Sequence, residues 1–301
     1  MPRRQMQYFH THSYAMRFAG LLLVCLGLYG QAPFAQSEQN RGYKIGLTPV
    51  MLTDRTSFLQ DWQHYFEERL KLPIAFVQRQ TYREVVDLLL SGQLDAAWLC
   101  GYPYVAHRDK FELLAVPVFD GEPSYQSYLI VPAGDDQTHS LTDLEQKVFA
   151  YSDPDSNSGY LYPQVQLIHE GVEPRHFFAK TFFTWSHRAV VKAVAEGVAQ
   201  GGAVDSYVWE TLAINEPALT RRTRIVAKSP SFGFPPLVVK RDLAQSRAER
   251  LRQAFLKMDR DPRGRFLLKK LNLDAFVPGK DASYDSIAES LRVLEASGET
   301  R

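Results

Sequence analysis

The sequence predicts an α/β protein that is built from two similar lobes. Apolar strand-like segments alternate with amphipathic helix-like segments, an order that is typical of parallel β-α-β units. A weak internal repeat indicates the two lobes. Residues 82–98 and 186–208 each contain a helix with a Val-Val pair, a glycine at its end, and a short strand with an aspartate. Because ligands bind beyond the carboxyl ends of the strands in open α/β sheets, we expect a ligand cleft between the lobes.

The individual elements follow from hydrophobic periodicity and from the residues that begin and end each segment. Strands are predicted at residues 43–48, 74–77, 94–99, 113–119, 125–132, 148–151 and 223–228. Helices are predicted at residues 57–70, 82–90, 164–170 and 186–197, and the charged end at 243–301 is predicted to be helical. We expect the strands at 125–132 and 223–228 to carry the chain to the second lobe and back.

The N-terminus has the layout of an export signal. Basic residues precede an apolar stretch at 18–28, and small residues follow at 31–35. The apolar stretch is too short for an ordinary membrane span, so we predict a signal peptide over residues 1–35 and a periplasmic location. Met16 is an alternative start, and an uncleaved anchor is an alternative outcome.

The remaining chain is long enough for two lobes of ordinary domain size. We predict lobe one over residues 41–132, lobe two over 133–228, and a return to lobe one over 229–301. The charge is nearly balanced, with 35 basic and 34 acidic residues, so nothing indicates a nucleic-acid partner. A hydrophobic content of 45% is typical of a globular protein with a well-formed core.

A Ser-Asn-Ser-Gly turn at residues 156–159 lies between a predicted strand and a predicted helix. Two hydroxyls, a side-chain amide and free backbone N–H groups at the start of a helix form a binding place for a small anion. No Lys or Arg lies in the run 152–163, so recognition would depend on hydrogen-bond donors rather than on bulk charge. The alternative interpretation is that Ser156 or Asn157 only caps the helix.

A second motif, at residues 98–104, follows a predicted buried strand. Gly101 permits a close approach of the backbone to a ligand, and Tyr102 and Tyr104 supply hydroxyls on apolar rings. We interpret this segment as a wall of the cleft. A tight turn with two core aromatic residues is the alternative.

Two residues of the second repeat complete the candidate site. His187 begins a predicted helix and could donate a hydrogen bond to an anion. Asp205 ends a predicted strand and could accept a proton from a ligand hydroxyl or orient His187. The alternative for His187 is an ordinary surface or helix-cap residue, and the alternative for Asp205 is a helix cap or a salt bridge.

Enzymatic interpretations have little support in the sequence. Cys100 is the single cysteine left after the predicted signal, so an internal disulfide is excluded, and a Cys100–His187 pair is the one nucleophilic arrangement available. The chain lacks the Gly-x-Ser-x-Gly, P-loop and Gly-x-Gly-x-x-Gly motifs, and its eight histidines show no metal-ligand spacing. We therefore expect neither an enzyme nor a bound cofactor or metal.

The chain resembles the phosphate/phosphite/phosphonate-binding periplasmic proteins, a branch of the type II solute-binding proteins. The resemblance runs from about Tyr43 to Ala288 and is carried by Ser156-Asn-Ser-Gly159, Gly101-Tyr-Pro-Tyr104, Ser186-His187 and Gly202-Ala-Val-Asp-Ser-Tyr-Val-Trp209. It implies two Rossmann-like lobes that are joined by a two-segment hinge and close on an oxyanion. The ligand-binding residues that it implies, together with the cleft wall, are Ser156, Asn157, Ser158, Tyr104, Tyr102, Cys100, His187 and Asp205.

Two departures from the family pattern leave the ligand open. Asn157 stands where phosphonate binders usually have threonine, and Cys100 precedes the cleft wall. A related sensory branch, which includes arsenite-sensing proteins, has a cysteine in this region and reports to a membrane histidine kinase. Soft sulfur suits trivalent arsenic better than it suits phosphate. We thus expect an oxyanion-binding protein for the permease of an ABC transporter, with arsenite sensing through Cys100 as the alternative.

Overall fold

A computed structural model of the protein describes residues 1–2, 41–49 and 56–298. The predicted signal peptide at 1–35 lies almost wholly outside the described residues. From Gly42 onward the chain forms one compact unit. Within the described ranges, every helix is too short or too polar to cross a membrane.

Strands and helices alternate along this unit. The strands are β1 (Tyr43–Leu47), β2 (Ile74–Gln78), β3 (Ala96–Trp98), β4 (Phe111–Val118), β5 (Ser124–Tyr125), β6 (Ser127–Pro132), β7 (Val148–Tyr151), β8 (Lys180–Phe183), β9 (Gly201–Asp205), β10 (Thr223–Lys228), β11 (Phe232–Gly233), β12 (Leu237–Lys240) and β13 (Ala275–Val277). The helices are α1 (Thr56–Leu70), α2 (Tyr82–Leu90), α3 (Gly101–Ala106), α4 (Tyr162–His169), α5 (Pro174–Phe177), α6 (His187–Ala195), α7 (Ser206–Asn215), α8 (Pro217–Thr220), α9 (Gln245–Leu256), α10 (Pro262–Lys270) and α11 (Asp285–Ala296).

The first sheet has six strands in the order β13-β4-β12-β3-β1-β2 and forms lobe one with its helices. Strand β1 pairs in parallel with β2 and β3, as the alternation of strands and helices predicts. Strand β12 is antiparallel to β3 and β4, so the sheet is mixed. Strand β13 lies in the end that we predicted to be helical. It forms because its three residues pair with β4 and bury Phe276.

The second sheet has five strands in the order β10-β6-β9-β7-β8 and forms lobe two. The strand predicted at 125–132 is broken. Strand β5 pairs with β11 in a separate two-stranded ribbon, whereas β6 pairs with β9 and β10 of the second sheet. Strand β6, which precedes the predicted start of lobe two at residue 133, thus pairs with strands of the second sheet.

Two chain segments cross between the lobes, and they are hydrogen-bonded to each other. The Ser229 N–H donates to the Ser127 carbonyl at 2.9 Å, and the Ser127 N–H donates to Ser229 Oγ at 2.8 Å. The β5–β11 ribbon lies directly beside these crossings. This arrangement is the two-segment hinge that the resemblance implies.

The predicted repeat has a clear structural counterpart in α2 with β3 and α6 with β9. Each helix is followed by a glycine in the left-handed region, Gly92 at φ +74° and Gly197 at φ +75°. This conformation ends a helix at little cost only for glycine. The chain then enters a buried strand, and residues at the ends of those strands build the candidate site.

Candidate functional site

The candidate site lies where β3, β7 and β9 end and helical segments begin. Cys100 is the N-cap of α3, and Asp205 is the N-cap of α7. Ser156 is the N-cap of a π-helical turn, Asn157–Leu161, which leads into α4. All three caps are buried. Candidate residues of both lobes thus stand beyond the carboxyl ends of strands, where ligands bind in open α/β sheets.

Ser156 and His187 face each other inside lobe two. Ser156 Oγ accepts the Gly159 N–H at 3.0 Å and lies 3.4 Å from His187 Nε2. The Asp205 N–H donates to His187 Nδ1 at 3.1 Å, so the imidazole proton belongs on Nε2. Burial lowers the pKa of His187 to about 3, which keeps the ring neutral. The Ser156 side chain is both a helix cap and a neighbour of this donor.

The absence of a side chain at Gly159 leaves room for Ser152 and His187 beside the turn. A Cβ atom at this position would lie 1.9 Å from Ser152 Oγ and 3.0 Å from His187 Cε1. Contacts this short do not occur for real side chains, so the turn requires glycine for close packing rather than for an unusual φ.

Asn157 connects the two lobes at the centre of the molecule. Its backbone N–H donates to Cys100 Sγ of lobe one at 3.3 Å, and its Nδ2 donates to the Tyr125 hydroxyl at 2.9 Å. The next residue, Ser158, is held by a hydrogen bond of 2.7 Å from Ser127 Oγ to its carbonyl. We call Tyr82, Cys100, Tyr125, Asn157 and Ser158 the polar cluster.

Several buried polar atoms in and beside the cluster have no hydrogen-bond partner among the described residues. They are Tyr82 OH, Ser152 Oγ, Asn157 Oδ1 and Ser158 Oγ. A buried polar atom without a partner costs about 1–3 kcal/mol, and native structures contain few of them. These atoms therefore retain hydrogen-bonding capacity that the described residues do not use.

Burial also sets the protonation of the cluster. It raises the pKa of Tyr82 well above the ordinary value, and the nearby Cys100, Asp153 and Asp205 raise it further. The pKa of Cys100 is raised by burial to about 11, although the Asn157 N–H bonded to its sulfur acts in the opposite direction. The cluster therefore offers neutral hydroxyl and thiol groups near pH 7.

Asp205 is the acidic group of the site. Its Oδ1 accepts the Tyr207 N–H at 2.8 Å and the Val208 N–H at 3.4 Å. These bonds lower its pKa, but burial has the larger effect and raises the pKa to about 7. Near neutral pH this carboxyl exists in both forms, so it can either donate or accept a proton.

We expect the stability of the protein to respond to this carboxyl. The pKa of Asp205 rises from its ordinary 3.8 to about 7, so the folded state holds an extra proton between these values. The contribution of Asp205 to the free energy of unfolding should therefore fall as the pH rises through this window. Denaturant unfolding at pH 5 and pH 8 should show a smaller loss with rising pH for Asp205→Asn than for the wild type. Equal pH dependence of both proteins would contradict the shift.

The protonation of His187 changes the free energy of unfolding with pH in the opposite direction. Its pKa is lowered from 6.5 to about 3, so its contribution to stability is lost as the pH falls through that window. Because the effect of His187 is common to the wild type and to Asp205→Asn, it cancels when the two profiles are subtracted.

The structure does not bring Tyr104 to the polar cluster. Its hydroxyl donates to Asp281, and its ring packs edge-on against Tyr284 with centroids 4.9 Å apart. Two residues of the C-terminal segment, Asp281 and Tyr284, thus hold the Tyr104 side chain. Tyr102 is half-buried at the start of the same helix, where its N–H is directed at Cys100 Sγ.

Cys100 and His187 do not form the pair that a thiol nucleophile would need. The sulfur accepts backbone N–H groups, whereas His187 contacts Ser156 and the Asp205 backbone. The described residues also contain no group of three or more His, Cys, Asp or Glu side chains that could hold a metal ion.

Three residues near the site were missed in the sequence analysis: Tyr82, Tyr125 and Asp153. Tyr82 is the first residue of α2 and directly follows the segment after β2, so the strand-end rule applied to Asp205 also selects it. Tyr125 lies in the crossing segment, whose course the sequence pattern does not fix. Asp153 contacts lobe one across the cleft, and only the packing of the lobes reveals this.

Two α/β lobes, two crossing segments and a buried polar cluster between the lobes define a periplasmic binding protein of type II. Over residues 45–284 the chain matches the family described as "ABC transporter, phosphonate, periplasmic substrate-binding protein", and it belongs to that family. The family predicted from the motifs is thereby confirmed, and so is the fold class.

Individual relatives agree with this assignment. The phosphate-import protein PhnD of Mycolicibacterium smegmatis is 32% identical over 158 residues, which cover 48% of this chain and about half (49%) of that protein. The phosphonates-binding periplasmic protein of Escherichia coli is 23% identical over 89% of this chain and 81% of its own. The solved structure of PhnD1 from Prochlorococcus marinus with methylphosphonate has a TM-score of 0.75 at 22% identity and covers 85% and 99% of the two chains.

Proposed function

We propose that this protein captures a small phosphorus oxyanion, of the phosphonate, phosphite or phosphate type, between its lobes and delivers it to the permease of an ABC transporter. The observation that carries the proposal is the presence of unpaired buried hydroxyl groups in both lobes, Tyr82 OH in lobe one and Ser158 Oγ in lobe two. In this proposal the protein binds and releases its ligand unchanged and is not an enzyme.

Five side chains and the backbone of the turn have distinct roles in this proposal. The hydroxyls of Tyr82, Ser156 and Ser158 donate to the oxygens of the anion, and the start of the π-helical turn adds backbone N–H groups. His187 donates through Nε2 because its Nδ1 is already occupied. Asp205 accepts the hydrogen of a protonated ligand oxygen.

The absence of a full positive charge among these groups has a physical consequence. An anion bound only by neutral donors retains its charge, and donors fixed in a buried site bind it more strongly than they would in water. Closure of the two lobes around the ligand provides that burial, and the paired crossing segments are the place where the chain bends.

The relatives support transport over sensing. Those described above are named for phosphate import and for binding of phosphonates in the periplasm. The predicted export signal would place this chain in the same compartment. Cys100 is the one feature that suggested arsenite and a histidine kinase, and its sulfur is protonated, buried and hydrogen-bonded to the backbone.

A thermal-shift panel tests the proposal. Methylphosphonate, phosphite, phosphate, sulfate and arsenite are each added to the exported protein. A ligand at about 100 times its dissociation constant stabilises the folded state by about 2.7 kcal/mol, which raises the melting temperature measurably. We expect at least one phosphorus oxyanion to do so and sulfate to have no effect. If none of the phosphorus oxyanions shifts the transition, the proposed ligand class is wrong.

The variant Cys100→Ser separates the two ligand classes. For a phosphorus oxyanion, a serine hydroxyl replaces the thiol beside the Asn157 N–H, so the affinity should remain within a few-fold of the wild type. For arsenite, loss of the soft donor should abolish binding. Arsenite binding in the wild type that disappears in Cys100→Ser, without any phosphorus ligand, would establish the sensory alternative instead.

A further inference from the structure

A carboxylate of lobe two is hydrogen-bonded to the start of a helix in lobe one. Asp153 Oδ2 accepts the Tyr82 N–H at 3.1 Å, and Asp153 is 1% exposed. Its other oxygen, Oδ1, accepts the Asp155 N–H at 2.7 Å. Both oxygens are therefore held in place, and the bond to Tyr82 crosses the cleft.

The N–H of Tyr82, at the start of α2, is a backbone donor that the helix's own capping residues do not use. The Thr81 side chain accepts the Glu84 N–H at 3.2 Å, and Glu84 accepts the Thr81 N–H at 3.0 Å. This capping box satisfies the N-cap and N3 positions. The N–H of Tyr82, at N1, lies between them and is bound by Asp153. A carboxylate at the N-terminus of a helix is favoured by the hydrogen bond and by the helix dipole.

We propose that Asp153 is an interlobe clasp, a residue that stabilises the closed arrangement of the lobes by capping α2 and thereby sets how long the ligand is retained. It acts without contacting the ligand, so it is a positioning residue. The inference rests on the proposed function, because retention is defined only for a protein that binds a ligand between its lobes.

The clasp is connected to the ligand groups at both ends. On lobe two, the Ser156 N–H donates to the Asp153 carbonyl at 2.9 Å, so the loop that presents Asp153 also begins the anion-binding turn. On lobe one, Tyr82 binds Asp153 through its N–H, and its hydroxyl belongs to the polar cluster. A ligand that orders Ser156 and Tyr82 brings Asp153 and its partner together, so ligand binding and the clasp favour the same closed state.

A second contact at the same place provides a matched control. Arg83 Nη2 lies 3.5 Å from Asp155 Oδ1, and the Arg83 side chain is 64% exposed. An exposed ion pair is screened by water and salt and contributes little. Arg83→Ala therefore removes an interlobe contact next to the clasp while the bond between Asp153 and Tyr82 stays intact.

The test compares Asp153→Ala, Asp153→Asn and Arg83→Ala with the wild type, with methylphosphonate as the probe. Loss of a hydrogen bond to a charged group should raise the dissociation rate by about 10- to 150-fold in Asp153→Ala, as measured by stopped flow. The association rate should change only a few-fold, since Asp153 does not contact the ligand. Arg83→Ala should have the dissociation rate of the wild type.

If Asp153→Ala does not fold, the isosteric Asp153→Asn replaces it. A smaller increase in the dissociation rate is then expected.

The effect of ligand on the amide exchange of Tyr82 gives a readout that a merely structural helix cap would not change. In the wild type the ligand should slow exchange of the Tyr82 N–H, and in Asp153→Ala this protection should be lost while neighbouring α2 amides keep theirs. Unchanged dissociation rates together with unchanged Tyr82 protection would overturn the clasp. If the wild type binds no phosphorus oxyanion, the proposed function fails. The clasp then fails with it, whereas a wild type that binds the ligand, with an unchanged dissociation rate in Asp153→Ala, overturns the clasp alone.

Discussion

The double variant Ser156→Ala/Ser158→Ala is expected to bind its best phosphorus oxyanion at least about 100-fold more weakly than the wild type. Ser156 Oγ uses a lone pair to accept the Gly159 N–H, which leaves its own hydrogen free to donate, and Ser158 Oγ has no partner within the described residues. Each hydrogen bond to a charged partner contributes about 1.5–3 kcal/mol, and a factor of ten corresponds to about 1.4 kcal/mol.

The fold should survive this change. Removal of the Ser156 side chain costs one helix cap, about 1 kcal/mol, which is a small part of the stability of a typical domain. Calorimetric titration of the best ligand from the thermal-shift panel measures the affinity. Ser290→Ala, on the exposed side of α11, controls for loss of a serine hydroxyl. Wild-type affinity in a folded double variant would remove the turn from the binding site.

The variant Tyr82→Phe is expected to weaken binding by about 10- to 150-fold without lowering the stability of the unliganded protein. The Tyr82 hydroxyl is buried and has no hydrogen bond within the described part of the chain, so its removal breaks no bond of the folded protein. In the proposed complex it donates to the anion, so its removal costs a charge-assisted bond. Titration and denaturant unfolding measure the two quantities separately.

Tyr104→Phe is the matched control, because both tyrosines lie in lobe one near the start of a helix. The Tyr104 hydroxyl donates to Asp281, so its removal should lower stability by about 1 kcal/mol and leave the affinity unchanged. Tyr82→Phe should therefore lower the affinity and keep the stability, whereas Tyr104→Phe should lower the stability and keep the affinity. If Tyr104→Phe lost affinity while Tyr82→Phe kept it, our assignment of the lobe-one ligand group would be reversed.

Local signals account for the elements that were predicted correctly. Helix α2 was placed at its observed ends because Thr81 and Glu84 form a capping box and Gly92 follows with a positive φ. Strands β7 and β10 were placed at their observed ends because each is a short apolar or β-branched run between turn residues. In each case the deciding interactions join residues only a few positions apart, so the sequence contains them directly.

Part of the candidate site was predictable from local signals of the same kind. The Ser-Asn-Ser-Gly turn, His187 and Asp205 stand at strand ends or helix starts, positions that the hydrophobic pattern locates, and the structure brings Ser156, His187 and the Asp205 backbone into contact. Whether these residues bind the ligand remains a prediction. Ser156 and Asp205 also cap helices, which is the alternative role that the sequence indicated.

The sequence by itself determined the α/β class, the family, and the turn that presents hydroxyls at the start of a helix, because each is encoded in neighbouring residues. Only the tertiary structure decided that the Tyr104 hydroxyl is bonded to Asp281, that β6 belongs to the second sheet, and that Asp153 caps a helix of the other lobe. These outcomes depend on contacts such as that between Asp153 and Tyr82, which are 71 positions apart. The direction of a side chain at such a contact is set by the elements that pack around it, and no local pattern contains that information.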